Sequence, residues 1–174
     1  EDTKLPPLEC LFTVDEETGL TGAFGLDGAL LQGRTMLNLD TEEWGAICIG
    51  CAGGGDSQIS LPVSYEGAPG DFLSFQLAVE GLKGGHSGVD IHEYRANAIV
   101  LLASVLVPLA GMGARIVSVQ GGDKTNAIPR EAFATLLLPP EAMADAQIAV
   151  AGRMESLRSE YGSLEKDMRV SLVG

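Results

Sequence analysis

The chain has 174 residues, of which 45% are hydrophobic and 20% charged, and this composition is typical of a folded globular protein rather than a disordered one. The net charge of −13 argues against nucleic acid as a partner, because phosphate binding requires a basic surface. No apolar run is long enough to span a membrane and no secretory leader opens the chain, so we expect a cytoplasmic protein with no membrane partner.

Three apolar runs near the start predict buried strands of a parallel or mixed sheet, because each is apolar on more than one face. They are PLECLFTV at 7–14, RTMLNLD at 34–40 and EWGAICIGC at 43–51. The segment at 52–71 is rich in glycine, serine and proline and is typical of a loop. We therefore place a domain boundary within 62–70, between a part at 1–65 and a part at 66–174.

The second part predicts the order strand, helix, strand, strand, helix, strand. FLSFQLAVEG at 72–81 alternates between apolar and polar residues, as a half-buried strand does, and further strands are expected in ARIVSVQGG, EAFATLLLP and KDMRVSLV. Asp90 and Glu93 have the spacing of a capping box, which predicts a helix over about 91–110, and a second helix is expected over about 140–161. In the first helix we expect the apolar spacing to follow Ala96, Ile99, Ala103, Leu106 and Ala110. This order is the ferredoxin-like βαββαβ layout, with two helices on one face of an antiparallel sheet.

Acidic side chains follow two of the predicted strands. Asp15, Glu16 and Glu17 end the first run, and Asp40 ends the second. Because the carboxyl ends of strands in an α/β sheet are where ligands bind, these acids could hold a cation. Neighbouring glutamates could then divide two tasks, one binding a metal and the other accepting a proton from its water. The alternative is that both runs are solvated turns.

Two glycine-rich segments of the second part carry further candidates. His86 lies in GLKGGHSG, where glycines permit unusual backbone geometry, and it could meet a ligand or merely contact the following helix. His92, six residues on, is expected to face solvent or the sheet. Asn126 and Arg130 flank a proline in GGDKTNAIPREA; Asn could donate to an oxyanion and Arg could bind a carboxylate. The alternative is a turn asparagine and an arginine on a strand edge.

Cys48 and Cys51 form a single C-x-x-C pair that ends an apolar run and precedes three glycines. A zinc site normally needs a second pair, and a redox pair normally opens a helix. We therefore expect two small buried hydrophobic residues, with a redox protein as the alternative.

Several segments, in this order, carry a family resemblance: TVDEETG, LNLDTEE, GCAGGGD, EGLKGGHSGVDIH, RANA and GGDKTNAIPREAF. Together they resemble the aminoacyl-histidine dipeptidases (peptidase D), which belong to the co-catalytic zinc metallopeptidases with a lid domain. The resemblance runs from about residue 8 to residue 170. It implies an α/β fold in which the edge of a mixed-sheet catalytic domain precedes a ferredoxin-like lid.

The resemblance also implies an activity and a role for each candidate. The activity is hydrolysis of small dipeptides by a water bound to two zinc ions, or to manganese or cobalt, in a homodimer formed through the lid. Glu16 is similar to the general base, while Glu17 and Asp40 are similar to metal ligands. His86 resembles the lid histidine that stabilises the tetrahedral intermediate, and Asn126 and Arg130 resemble substrate-binding residues.

The sequence departs from the family pattern in one important respect. The family has an H-x-D segment before the acid pair and a late histidine ligand, and neither occurs in these 174 residues. We therefore expect the chain to be an internal portion of the enzyme, with about half of the lid, and inactive alone. The alternative is a non-catalytic, lid-type dimerisation module.

Overall fold

The computed structural model describes residues 6–16, 19–39, 44–50, 53, 55 and 57–174, which fall in two compact units, Glu1–Gly54 and Gly55–Gly174. The domain boundary that composition places within 62–70 stays a prediction, because compactness alone does not show where a catalytic domain ends. None of the helices in the described ranges is long and apolar enough to cross a membrane.

The described part of the first unit contains a short helix, α1 (Thr21–Phe24), and a 3₁₀ turn, Gly28–Leu30. The three predicted strands are not formed by the residues described there. A strand requires a neighbouring strand to which its N–H and C=O groups bond, and no such pairing is present in this part. The apolar side chains accordingly lie open, with Phe12 90%, Leu39 91% and Ile49 100% exposed.

The second unit has the predicted ferredoxin-like order of strands and helices, with one short additional ribbon. Its elements are β1 (Leu73–Glu80), β2 (Gly85–His86), α2 (Ala98–Gly111), β3 (Arg115–Gly121), β4 (Ala127–Ile128), β5 (Ala132–Leu138), α3 (Met143–Tyr161) and β6 (Arg169–Val173). The main sheet is antiparallel with the order β3-β5-β1-β6. The ribbon of β2 and β4, which the sequence did not predict, stands apart from it. The α/β fold class with a ferredoxin-like lid is therefore confirmed.

The core lies between the main sheet and the two long helices. Phe75, Leu77 and Val79 of β1 are buried, as their alternation predicted, and Leu136 and Leu138 of β5 lie on the same side. Helices α2 and α3 cover them with apolar side chains at helical spacing: Leu101, Leu102, Val105 and Leu109, then Ala146, Val150, Met154 and Leu157. Each fully buried leucine contributes about 1.5–3 kcal/mol, so this contact stabilises the unit.

The start of α2 differs from the prediction. The helix begins at Ala98, because the Asn97 side chain accepts the N–H groups of Ile99 and Val100 at 3.0 and 3.3 Å and caps it there. Residues Ile91–Glu93 form a separate 3₁₀ turn. The buried face of α2 also differs from the prediction: Ile99, expected inside, is 39% exposed, and the buried residues are Ala98, Leu101, Leu102, Val105 and Leu109. The second helix, expected over about 140–161, is confirmed; its first turn is a 3₁₀ turn, Pro140–Ala142, which runs into α3.

Candidate active site

His86 and Asn126, which lie 40 residues apart, are brought together by the short ribbon. In the antiparallel pairing of β2 with β4, His86 lies opposite Ala127. One residue beyond the pair, the Ser87 N–H donates to the Asn126 carbonyl at 2.9 Å. The two glycine-rich segments singled out from the sequence therefore form one surface.

The imidazole ring of His86 is oriented by its own loop. Its Nδ1 accepts the backbone N–H groups of Gly88 and Val89, both at 3.1 Å. A nitrogen that accepts two such bonds carries no hydrogen, so in the neutral ring the hydrogen is on Nε2. His86 is exposed, and its ring therefore offers an N–H donor on the side away from the loop.

An ion pair fixes the backbone around His86. The Asp90 carboxylate accepts the His86 N–H at 2.7 Å and two hydrogen bonds from the Arg95 guanidinium at 3.0 and 3.1 Å. Arg95 also donates to the Gly84 carbonyl at 2.6 Å, and its side chain is only 15% exposed. Asp90 is thus engaged with the loop rather than with a helix start, which explains why the predicted capping box is not formed. Bidentate pairs of this kind are among the stronger hydrogen-bonded contacts in proteins.

Two glycines permit this close packing. A Cβ on Gly85 would lie 2.1 Å from an Arg95 guanidinium nitrogen and 2.5 Å from an Asp90 carboxylate oxygen. A Cβ on Gly84 would lie 2.2 Å from Cγ of Arg130, and Gly84 has a φ of +66°, which favours glycine. The stem of Arg130 therefore lies against the backbone of the His86 loop.

Arg130 is the third candidate that the structure places here. Its carbonyl accepts the Leu82 N–H at 3.3 Å, and its exposed side chain lines a cavity of about 720 Å³. Three other basic residues, Lys83, Lys166 and Arg169, line the same cavity, and with Arg130 they outnumber its two acidic residues, Glu165 and Asp167. In a chain with a net charge of −13, this local group of cations favours an anionic ligand group.

The acidic candidates belong to the first unit. Glu16 lies exposed in a turn, where its carbonyl accepts the N–H groups of Gly19 and Leu20 at 3.3 Å. Asp15 holds this turn, as its carboxylate accepts the Thr21 hydroxyl at 2.8 Å. The two predicted metal ligands, Glu17 and Asp40, lie outside the described residues.

The remaining metal and cysteine predictions have different outcomes. Within the part of the chain that the structure describes, no three His, Cys, Asp or Glu side chains are grouped to hold a metal ion, so these residues do not by themselves fit a metal centre. Cys48 is exposed rather than buried, because no described segment packs over it, and Cys51 is outside the described residues.

Two further residues support the site and were not predicted as functional: Arg95 and Glu165. Arg95 is one of several charged residues near the start of α2, and Glu165 follows α3 in a polar stretch that is typical of a solvated turn. Their partners lie on other segments, so only the folded structure reveals them.

The second unit is similar to a peptidase dimerisation domain, because residues 77–162 match the family of that description, M20_dimer. The chain is 42% identical, over 167 residues, to the cytosol non-specific dipeptidase of Escherichia coli K12. The aligned region covers 95% of this chain and 34% of the relative. The crystal structure of aminoacylhistidine dipeptidase from Vibrio alginolyticus matches with a TM-score of 0.74 and 36% identity, over 92% of this chain and 33% of that one.

These relatives confirm the resemblance to aminoacyl-histidine dipeptidases. The chain spans about a third of the length of each.

Proposed function

We propose that this chain is part of a hydrolase of small dipeptides, of the aminoacyl-histidine type, and that its second unit is a lid that also forms a homodimer. Two relatives of 42% and 36% identity are named as dipeptidases, which supports peptide hydrolysis. The observation that carries the proposal is the orientation of His86: two backbone N–H groups occupy Nδ1 and leave Nε2–H as the donor, while the bond from the Ser87 N–H to the Asn126 carbonyl joins the two loops.

The chemistry of peptide hydrolysis explains why such donors are needed. Attack of water on the peptide carbonyl places negative charge on its oxygen, and preorganised N–H donors stabilise that charge. His86 and Asn126 would supply two donors, each worth about 10²–10³ in rate when removed. A dipeptide also carries a free carboxylate, which the guanidinium of Arg130 could bind with two hydrogen bonds.

The acids and the metal belong to the proposal through the family resemblance. Glu16 would accept the proton of the attacking water, and Glu17 and Asp40 would bind zinc, manganese or cobalt. A metal would polarise the carbonyl and activate the water. The described residues hold no complete ligand set, so we derive no step through the metal.

The homodimer is supported by an open edge beside an apolar helix surface. Strand β3 is an edge of the main sheet and all seven of its residues are exposed, among them Ile116, Val117 and Val119. Helix α2 contacts the end of β3 through Ile99 and exposes Val100 and Val107. An unpaired strand edge can extend across a two-fold axis by pairing with its copy.

The proposal extends to the location of the enzyme and to its partners. We propose a cytoplasmic enzyme whose partner is a small dipeptide rather than nucleic acid or membrane. The acidic net charge supports this, as does the relative that is named a cytosol dipeptidase.

A second candidate function is a non-catalytic dimerisation module. The self-contained core of the second unit favours it, as does the lack of a metal-ligand group among the described residues. A titration of the 174-residue chain with zinc, followed by an assay of aminoacyl-histidine cleavage, tests the module reading. Binding of two zinc ions with turnover would exclude the module; a chain that dimerises but neither binds zinc nor cleaves the dipeptide fits the module and not an enzyme complete in these residues.

A further inference from the structure

Glu165 is the one charged side chain that is buried among the described residues, with 4% of its surface exposed. It lies in the 3₁₀ turn Gly162–Glu165, between α3 and β6. An ionised carboxylate is costly to bury unless hydrogen bonds replace its water. Other groups of the protein must therefore bond to the Glu165 carboxylate in place of water.

Both oxygens of Glu165 accept backbone N–H groups from another part of the chain. One oxygen accepts from Lys83 at 2.7 Å, and the other accepts from Ala96 at 2.9 Å. These two partners lie immediately before and after the segment at 84–95, which contains His86. One buried side chain thus joins the two ends of the His86 loop.

The contacts continue from these ends to the imidazole. Lys83 precedes Gly84, whose carbonyl accepts from the Arg95 guanidinium, and Ala96 follows Arg95 directly. The Arg95 guanidinium also donates to the Asp90 carboxylate, and this carboxylate accepts the His86 N–H. Glu165 therefore holds the backbone directly beside Arg95 and directly beside Gly84, the residue whose carbonyl binds the Arg95 guanidinium.

We propose that Glu165 is a positioning residue for His86: by joining the ends of its loop, it keeps the Nδ1 nitrogen bonded to the loop and the Nε2–H donor directed outward. This inference rests on the proposed function only for its catalytic meaning. The effect on the orientation of His86 is a property of the second unit and can be measured without substrate.

The test is an NMR comparison of the unmodified chain with the Glu165→Gln variant. Gln keeps the size of the side chain but has only one acceptor oxygen, so one of the two N–H groups loses its partner. We expect the ¹⁵N shifts of the His86 ring to lose the pattern of a single tautomer. We also expect amide hydrogen exchange at Ser87, Gly88 and Val89 to accelerate at least tenfold, while the core strand β1 keeps its protection.

A matched control is Glu155→Gln, an exposed glutamate of α3, which should change none of these signals. If the variant folds and both the tautomer pattern and the loop exchange stay unchanged, the positioning role is wrong. If it does not fold, exchange in the unmodified chain at low urea decides. The amides of Lys83, Ala96 and the His86 loop should open together, and separate opening would overturn the proposal.

The outcome is independent of the proposed function. Activity that survives replacement of His86 would contradict its catalytic role and leave the positioning by Glu165 intact.

Discussion

Arg95 binds the Asp90 carboxylate through two hydrogen bonds of 3.0 and 3.1 Å, and the same carboxylate accepts the backbone N–H of His86 at 2.7 Å. The side chains are 15% and 24% exposed, so water screens the pair less than it screens an ion pair on the surface. A histidine in a glycine-rich loop is therefore held by charge and hydrogen bonds rather than left mobile.

Replacing Arg95 by lysine should destabilise the second unit by about 1–3 kcal/mol. A lysine ammonium cannot form the bidentate pair and also reach the Gly84 carbonyl, so partly buried acceptors lose their donors. Urea unfolding measures the change. Lys83→Met is the control, because the pair of Lys83 with Glu93 is exposed and 3.8 Å long, and it should change stability by less than about 0.5 kcal/mol. Equal effects of the two variants would contradict the role of Arg95.

Gly85→Ala should destabilise the chain by more than about 1 kcal/mol. Its new Cβ would lie 2.1 Å from the Arg95 guanidinium, and the φ of +148° at this position disfavours an L side chain. Gly152→Ala in α3 is the matched control with the opposite sign, since its Cβ would meet nothing within 4 Å. That change should stabilise the helix by about 0.5–1 kcal/mol. Thermal unfolding of both variants measures these shifts, and a stabilising Gly85→Ala would be inconsistent with the loop geometry.

Tyr161 should make stability fall at alkaline pH. Burial raises the pKa of its phenol above 10.0, and the Glu160 carboxylate raises it further, whereas Arg153 lowers it. The folded state therefore holds the proton more tightly than the unfolded state. This contribution is fully present below pH 10 and is lost as pH rises through the folded pKa. Chemical unfolding at pH 9 and above should show a steeper loss for the unmodified chain than for Tyr161→Phe, and identical slopes would disprove the prediction.

The proposed dimer edge predicts that Val119→Lys produces a monomer. Val119 is 51% exposed on β3, and a lysine there would place two like charges at an interface between copies. Ile148→Lys is the control, because Ile148 is 70% exposed but lies on α3. Sedimentation velocity distinguishes the two. If the control becomes a monomer and Val119→Lys does not, β3 is the wrong interface.

Local sequence signals were enough to predict the order of the long strands and helices of the second unit. The alternation in β1, and the prolines and the glycine at the two ends of the second helix, are local signals, so these elements were found close to their observed bounds. The start of α2 was missed because Asp90 and Glu93 fit a capping box locally, whereas Asp90 binds Arg95 and His86 in the folded chain. Local propensity does not include such competing contacts with residues elsewhere in the fold.

In the candidate site, too, contacts between distant residues could not be predicted from local sequence. His86, Asn126 and Arg130 could be proposed because glycine-rich segments and residue chemistry are visible in the sequence, and their roles stay predictions. The ribbon of β2 and β4 brings the segments of His86 and Asn126 together. The supporting role of Glu165 was not visible, since its partners are 69 and 82 residues away. In the first unit, apolar runs predicted strands that the described residues do not form, because a strand needs a partner.

The most direct test compares the two histidines of the chain in the intact enzyme proposed above. We expect His86→Gln to lower kcat for an aminoacyl-histidine dipeptide by about 10²–10³, with a smaller change in KM, because the lost donor acts on the transition state. His92→Gln should leave kcat within about twofold of the unmodified value. The His92 side chain is 75% exposed, and its ion pair with Glu93, at 3.9 Å, lies at the surface. Equal kcat values for His86→Gln and the unmodified enzyme would contradict the proposal that this loop presents a catalytic donor.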